Sequence, residues 1–430
     1  QAMAISSTIS TSGSGSITLN GSAGSGGADW TYGILLRNSA VVQAENGTIN
    51  ITGTGLGNTS NDRGVSLENN ARISSTSGAI NITGYASSAV GLSMVDTSSI
   101  YNASGHTTIN SDRIVLDGTL TNNGLSQAEL TIKPTTSGRR IGIGYDWDLY
   151  IPTNYLSSKF SGFQKITIGS TSSGTLIIGD DFSFNDPLSL IAGGNFEISS
   201  GGSYSTLTGN NNNLTVSSPT NIYFDHTVNL GSGSLIKEGS GLLRNNSASH
   251  TYNNLLINNG SVQMQASNFA SSPDVYVASG AEWNSVYSGT IGTISGGGDI
   301  LTISNLTLAS PNGETFSGTL SSFSSSSNII KNGTGSLTLS GNSPSFLGTI
   351  TVNAGTLIAS NTQALGTSAK GTIVASGATL DVRANVGAEP VTLNGGTLSV
   401  PSGSVSMSGA LTLGANSTIS VGGTQLALSG

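Results

Sequence analysis

The 430-residue chain contains no cysteine. Disulfide staples, zinc–thiolate sites and cysteine nucleophiles are therefore excluded. The absence does not assign a compartment, because a long exported chain that crosses an envelope unfolded gains from having no thiols to cross-link. Charge is scarce as well: Asp, Glu, Lys and Arg make up 8% of residues, against roughly a quarter in ordinary globular proteins. The net charge of −8 is thinly spread, and no basic run of the kind that holds nucleic acid or anionic lipid is present. Aromatics are 6%. No stretch approaches the ~20 apolar residues of a membrane helix. Gln1-Ala2-Met3-Ala4 lacks the basic and apolar regions of a secretory signal peptide. With Gly430 falling in mid-rhythm, these ends predict a mature chain or an excised piece of a larger protein.

What the chain has is glycine, 60 residues of it, with Ser, Thr and Asn filling much of the remainder. Disorder would need low hydrophobicity and high net charge. Here 35% of residues are hydrophobic and come in short alternating bursts. One block recurs as Ile17-Thr18-Leu19-Asn20-Gly21, Ile49-Asn50-Ile51-Thr52-Gly53 and Ile80-Asn81-Ile82-Thr83-Gly84. A second recurs as Gly33-Ile34-Leu35-Leu36, Gly64-Val65-Ser66-Leu67 and Gly91-Leu92-Ser93-Met94. The intervals are 32 and 31 residues for the first (49 − 17, 80 − 49), and 31 and 27 for the second (64 − 33, 91 − 64). Drifting periods of this size indicate a solenoid rather than a compact domain.

Each block alternates apolar and polar residues, the signature of a strand buried on one face. Boundary Gly and Asn suit corners, since both tolerate positive φ. No segment has sustained helical spacing. The same grammar continues in Leu176-Ile177-Ile178, Leu214-Thr215-Val216, Leu337-Thr338-Leu339 and Leu411-Thr412-Leu413. Asn210–Asn213 and the serines around Phe323 read as loops. Parallel stacking at ~4.8 Å would place inward Ile, Leu and Val in columns and outward Thr, Ser and Asn in ladders. The predicted fold is all-β, a right-handed parallel β-helix running continuously over 1–430.

The C-terminal part carries the sharpest motif. Lys331-Asn332-Gly333-Thr334-Gly335-Ser336-Leu337-Thr338-Leu339 leads to Gly348-Thr349-Ile350-Thr351-Val352-Asn353-Ala354-Gly355-Thr356-Leu357 and closes at Ala364-Leu365-Gly366. This resembles the passenger-associated transport repeat of autotransporter passengers. An eroded copy starts at Lys237-Glu238-Gly239-Ser240-Gly241 and runs through Asn259-Gly260-Ser261 to Ser267-Asn268. Ile141-Gly142-Ile143-Gly144, Lys165-Ile166-Thr167-Ile168-Gly169 and Asn185-Asp186-Pro187-Leu188 look like the recurring unit of filamentous-haemagglutinin-like exoproteins. On this basis 1–130 holds repeats of roughly 30 residues, 131–235 a haemagglutinin-like section, and 236–430 a section with transport repeats at 237–270 and 331–366. The resemblance implies export across the outer membrane, by a partner transporter or the protein's own barrel, and work at the bacterial cell surface. No two-partner-secretion domain and no barrel-forming strands with an aromatic end are recognised.

β-Helices also carry polysaccharide lyases and hydrolases, so paired carboxylates need weighing. Asp180 and Asp181 are adjacent and would point to opposite faces of a strand. Asp146 and Asp148 would share a face if extended; the blander reading is a protruding loop whose turns the aspartates cap. Arg139-Arg140 just upstream could pair with them. Tyr145, Trp147, Tyr150, Tyr155, Phe160 and Phe163 concentrate aromatics here. They either stack on sugars or plug one side of the solenoid. The ligand-contact candidates are therefore Tyr145, Asp146, Trp147, Asp148, Tyr150 and Tyr155. His106, His226 and His250 lack metal-ligand spacing. Asp225-His226 has no third partner, and Gly296-Gly297-Gly298-Asp299 lacks the tandem period of calcium-binding nonapeptides.

No catalytic, cofactor or metal site is expected. The expected role is a structural or adhesive passenger, a rigid element for cell adhesion or display. Its partners would be a host-cell, bacterial-cell or matrix surface and its glycans. A carbohydrate-binding or polysaccharide-degrading β-helix and a self-assembling filament or surface-layer component stay open as alternatives. Nucleic acid is not an expected partner.

Overall fold

Ile49-Asn50-Ile51-Thr52-Gly53 and Ile80-Asn81-Ile82-Thr83-Gly84 lie side by side in a parallel ladder, Ile49 against Ile80 and Gly53 against Gly84. The computed structural model describes all residues except 25–29, 58, 87–88, 123–126, 199–205, 226, 246–248, 265–268, 286–287 and 310–311. Within it every pairing of named strands is parallel, and the fold is a parallel β-helix in each of two units, Gln1–Gly231 and Ser232–Gly430. The one helical element among the described residues is a single π-helical turn, Tyr155–Lys159.

In the first unit each early coil gives one strand to each of three sheets. Tyr32–Leu36, Val41–Ala44 and Ile49–Gly55 form one coil, and Arg63–Leu67, Arg72–Ser75 and Ile80–Ala86 the next. Leu19, Ile51, Ile82, Ile109, Ile132, Ile168, Leu190 and Val216 stand in one inward column, all buried. Each such side chain contributes about 1.5–3 kcal/mol through burial, and in-register stacking also satisfies the backbone from coil to coil. Polar residues ladder outside the columns, as in Asn81 to Asn50 at 3.0 Å.

In the second unit Leu337, Leu357, Leu380 and Leu398 repeat the column. Asn353 bonds Asn332 at 2.8 Å, and Asn328 bonds Asn305 at 2.9 Å.

The block-ending glycines do not serve the purpose expected of them. Positive φ occurs at Asn38, Asn69, Asn210 and Asn211 as corner chemistry requires, but not at Gly53, Gly84, Gly33 or Gly64. These instead form a seam in which two sheets touch backbone to backbone. A Cβ on Gly53 would lie 2.1 Å from the Gly64 carbonyl oxygen, and one on Gly33 would lie 2.2 Å from the Thr54 nitrogen. Glycine is required there for close approach rather than for turning.

Coil length drifts while the ladder holds. Ile49, Ile80, Thr107 and Leu130 share a column, so successive coils take 31, 27 and 23 residues (80 − 49, 107 − 80, 130 − 107). The first shortening falls at one corner, where the connection 56–62 gives way to 87–89; in the next coil that corner contracts to Asp112-Arg113, while 95–98 shortens to 117–118 and 103–106 lengthens to 122–128. The next coil, from Leu130 to Ile166, takes 36 residues (166 − 130). That coil holds the aromatic segment.

Candidate functional site

The enlarged coil begins with an unusually tight excursion. Ile141–Ile143 pairs in parallel with Leu149–Ile151, only five residues later, although parallel neighbours ordinarily need a crossover of about a dozen residues. Gly142 permits it, because a Cβ there would sit 1.8 Å from the Tyr145 carbonyl oxygen. Gly144 turns with φ 67. The intervening Tyr145-Asp146-Trp147-Asp148 is a loop, not extended strand.

Asp148 fastens this loop to its own base. Its carboxylate accepts from the Arg140 backbone N–H at 2.9 Å and from Arg140 Nε and Arg139 Nη1, each at 3.3 Å. Burial alone would raise its pKa. The Arg140 hydrogen bonds and the charges of Arg140 and Arg139 outweigh that and hold the carboxyl below the usual range. Arg140 lies over the Trp147 ring, 4.8 Å from its centroid, and Tyr145 meets the same ring edge-on at 5.4 Å.

The shortened corner faces this loop. Asp112 accepts from the N–H groups of Thr135 and Thr136 at 2.9 Å, and Arg139 Nε approaches it at 3.7 Å. Between Asp112-Arg113 and the loop lies a recess of ≈ 310 Å³, with Ala86 and Ala89 on its rim. Asp146, Trp147, Asp148 and Arg139 all line it. The Asp146 carboxylate and the Arg113 guanidinium have no hydrogen bond or ion pair among the described residues.

The six candidates thus separate. Asp146, Trp147 and Asp148 reach the recess; Tyr145 is exposed beside it. Tyr150 is half-buried on the outer face opposite Gly142. Tyr155 is interior: its ring packs against Phe160 at 5.9 Å and its hydroxyl accepts from the Leu116 N–H at 2.9 Å. Phe160 and Phe163 are buried as well, so the aromatic cluster is half ledge and half plug. Asp181 caps the Thr206 N–H.

His106 contacts Thr131 at 2.9 Å and Glu129 at 3.4 Å, and His250 is buried against Tyr252. His226, Ser267 and Asn268 lie outside the described residues. Among the described residues no three His, Asp or Glu side chains gather as a metal site.

Sequence reasoning passed over Asp112 and Arg113, which enter the recess from the preceding coil. It also passed over the role of the two motif lysines. Lys331 is fully buried, and its Nζ donates to the carbonyls of Gly333 and Gly335 at 2.6 Å and of Ala354 at 3.0 Å. Lys237 is caged likewise by Glu238, Gly239 and Asn259 at 2.8, 2.7 and 3.2 Å. Burial pushes Lys237 down to about 8, the Glu238 charge opposing it, and lowers Lys331 too. The Lys-x-Gly-x-Gly pattern was the available signal: an ammonium has three donors, and a glycine-rich turn can present several carbonyls to it.

In comparisons with known proteins, no family model matches the chain, and neither a curated protein nor a solved structure does.

Proposed function

We propose that this chain is a structural and adhesive passenger region of a large secreted bacterial surface protein, of the autotransporter or filamentous-haemagglutinin-like kind. Its task is to form a rigid β-helical stalk that presents corner loops to a host-cell, bacterial-cell or matrix surface. The supporting observation is the division of labour in the coil. Inward apolar columns persist while the connections between strands change length from coil to coil, so surface features change over a constant interior. The two caged lysines fall on the two segments that resemble transport repeats, which also favours this reading.

The recess chemistry favours binding over turnover. Glycoside hydrolysis needs a carboxylic acid held protonated opposite a second carboxylate. Asp148 is held the other way, charged and clamped by two arginines. Export by a partner transporter or an attached barrel, and residence at the outer membrane, belong to the same proposal.

Beads coated with the folded chain should be retained on cultured epithelial cells, bacterial cells or matrix proteins, and the soluble chain should leave polysaccharide viscosity unchanged. Depolymerisation without retention would replace the adhesive reading by an enzymatic one.

A further inference from the structure

We infer that the recess between Asp112-Arg113 and the Tyr145–Asp148 loop binds a neutral pyranose unit of a glycan. The inference rests on the adhesive reading and gives it a ligand class. At ≈ 310 Å³ the recess is at the small end of the roughly 300–1,000 Å³ of ligand sites. Its scale suits one or two sugar rings, not a peptide helix.

Charge decides what kind of sugar. Three carboxylates and three guanidinium groups line the recess, but most neutralise one another. Asp148 takes both Arg139 and Arg140, and Arg139 also approaches Asp112. One acceptor, Asp146, and one donor, Arg113, remain uncommitted among the described residues. A uronate or sialate would pair with Arg113 but set its charge beside the uncommitted Asp146. A cationic ligand would pair with Asp146 but meet the uncommitted Arg113. A polyol suits both open groups, since adjacent hydroxyls can donate to a carboxylate and accept from a guanidinium.

The aromatic wall completes the arrangement. Trp147 is held in place by Arg140 above its ring and by a T-shaped contact with Tyr145, so little ordering remains to be done when a ligand arrives. Trp147 is the one aromatic among the nine lining residues, six of which are charged, and its ring is the aromatic surface beside those polar groups. Here it would take the C–H face of a sugar ring.

The test is a printed array of galactose-, glucose- and N-acetylglucosamine-terminated neutral oligosaccharides beside sialylated and uronate-containing ones, followed by titration with the free neutral sugars. Neutral glycans should bind, with less than a twofold change in affinity between low and high salt. Trp147→Ala should weaken binding at least tenfold. Asp146→Asn, which preserves shape, should weaken it about fivefold, and both variants should keep the wild-type circular dichroism and melting curve. Binding confined to acidic glycans and abolished by salt would overturn the inference. So would an empty array with folded protein, or binding indifferent to Asp146→Asn. Glycan binding by a chain whose coated beads do not adhere would leave the recess assignment standing and remove the adhesive reading. An empty array from a chain whose coated beads still adhere would do the reverse.

Discussion

Lys237 and Lys331 repeat one cage on two different sheets of the second unit, each stacked on aliphatic neighbours in an inward column. Lys237 stacks on Ile257 and Val277; Lys331 stands between Leu308 and Val352. In both cages two carbonyls come from the turn that follows the lysine and the third from the next coil. The ammonium therefore ties a glycine-rich turn to its neighbour at a position where a hydrophobic residue could fill the space but could not donate.

Replacing the lysine tests this directly. Lys331→Met keeps the stem and takes the ammonium from the carbonyls of Gly333 and Ala354, while Gly335 retains the Thr356 N–H at 3.3 Å. A loss of about 2–4 kcal/mol is expected, since each stranded buried group costs about 1–3 kcal/mol and partial solvation offsets some of it. Urea unfolding of the wild type and variant measures it. Equal midpoints and slopes would show that the cage contributes nothing.

The glycine seam should be far less tolerant than glycine elsewhere. On Gly64 a Cβ would meet the Gly91 carbonyl oxygen and the Tyr85 nitrogen, both at 2.6 Å, and neither backbone atom can move without breaking a ladder. Gly64→Ala should cost more than about 3 kcal/mol. Gly24→Ala, at a position with nothing within 4 Å of the added carbon, should stay within about 0.5 kcal/mol. Thermal melts of the pair decide the matter; similar losses at both would refute the seam.

Glu389 makes stability depend on pH. It is buried, accepts from the Thr372 hydroxyl at 2.8 Å through one oxygen, and leaves the other without a partner among the described residues. Burial pushes its carboxyl up to about 7, the Thr372 bond opposing. Because the folded pKa lies above the unfolded one, the folded state binds more protons between them. This group's contribution is therefore greatest below about pH 4.5 and is lost as pH rises toward 7. Glu389→Gln should stabilise the protein at pH 8, by on the order of 1–3 kcal/mol, and change little at pH 4.5. A stability difference that is flat with pH would contradict it.

The two loop aspartates should part company. Asp148→Asn loosens three charge-assisted hydrogen bonds and should cost about 1–2 kcal/mol. Asp146→Asn breaks none among the described residues and should stay within about 0.5 kcal/mol. Chemical denaturation of both, at one ionic strength, separates an anchoring role from a solvent-facing one; equal losses would contradict the assignment.

The strands were legible because alternation is a local property. Ile51 and Ile82 point inward for the same reason that Asn50 and Asn81 point outward, and a recurring pentamer announces both. The glycine seam was not legible: Gly53 ends its block as a turn glycine would, and only the packing of one sheet against another shows what excludes its Cβ. The recess was half legible. Asp146, Trp147 and Asp148 are neighbours in sequence, whereas Arg113 arrives from the preceding coil and is placed only by register. Tyr155 shows the converse limit, for it lies ten residues from Tyr145 yet its ring points into the core. Sequence proximity could not tell ledge from plug.

Stacking and length are independent variables in this coil. The corner that spans 56–62 in one coil is Asp112-Arg113 two coils on, and the ladder continues through both. As that corner shortens the ladders beside it lose pairs only at their ends: Tyr85 and Ala86, paired to Thr54 and Gly55, find no ladder partner in the next coil among the described residues, while the inner pairs hold. Corner and column are thereby separable parts of the coil: the loop can be shortened, as a handle accepts a shorter tool, while the inward stack beneath remains the same.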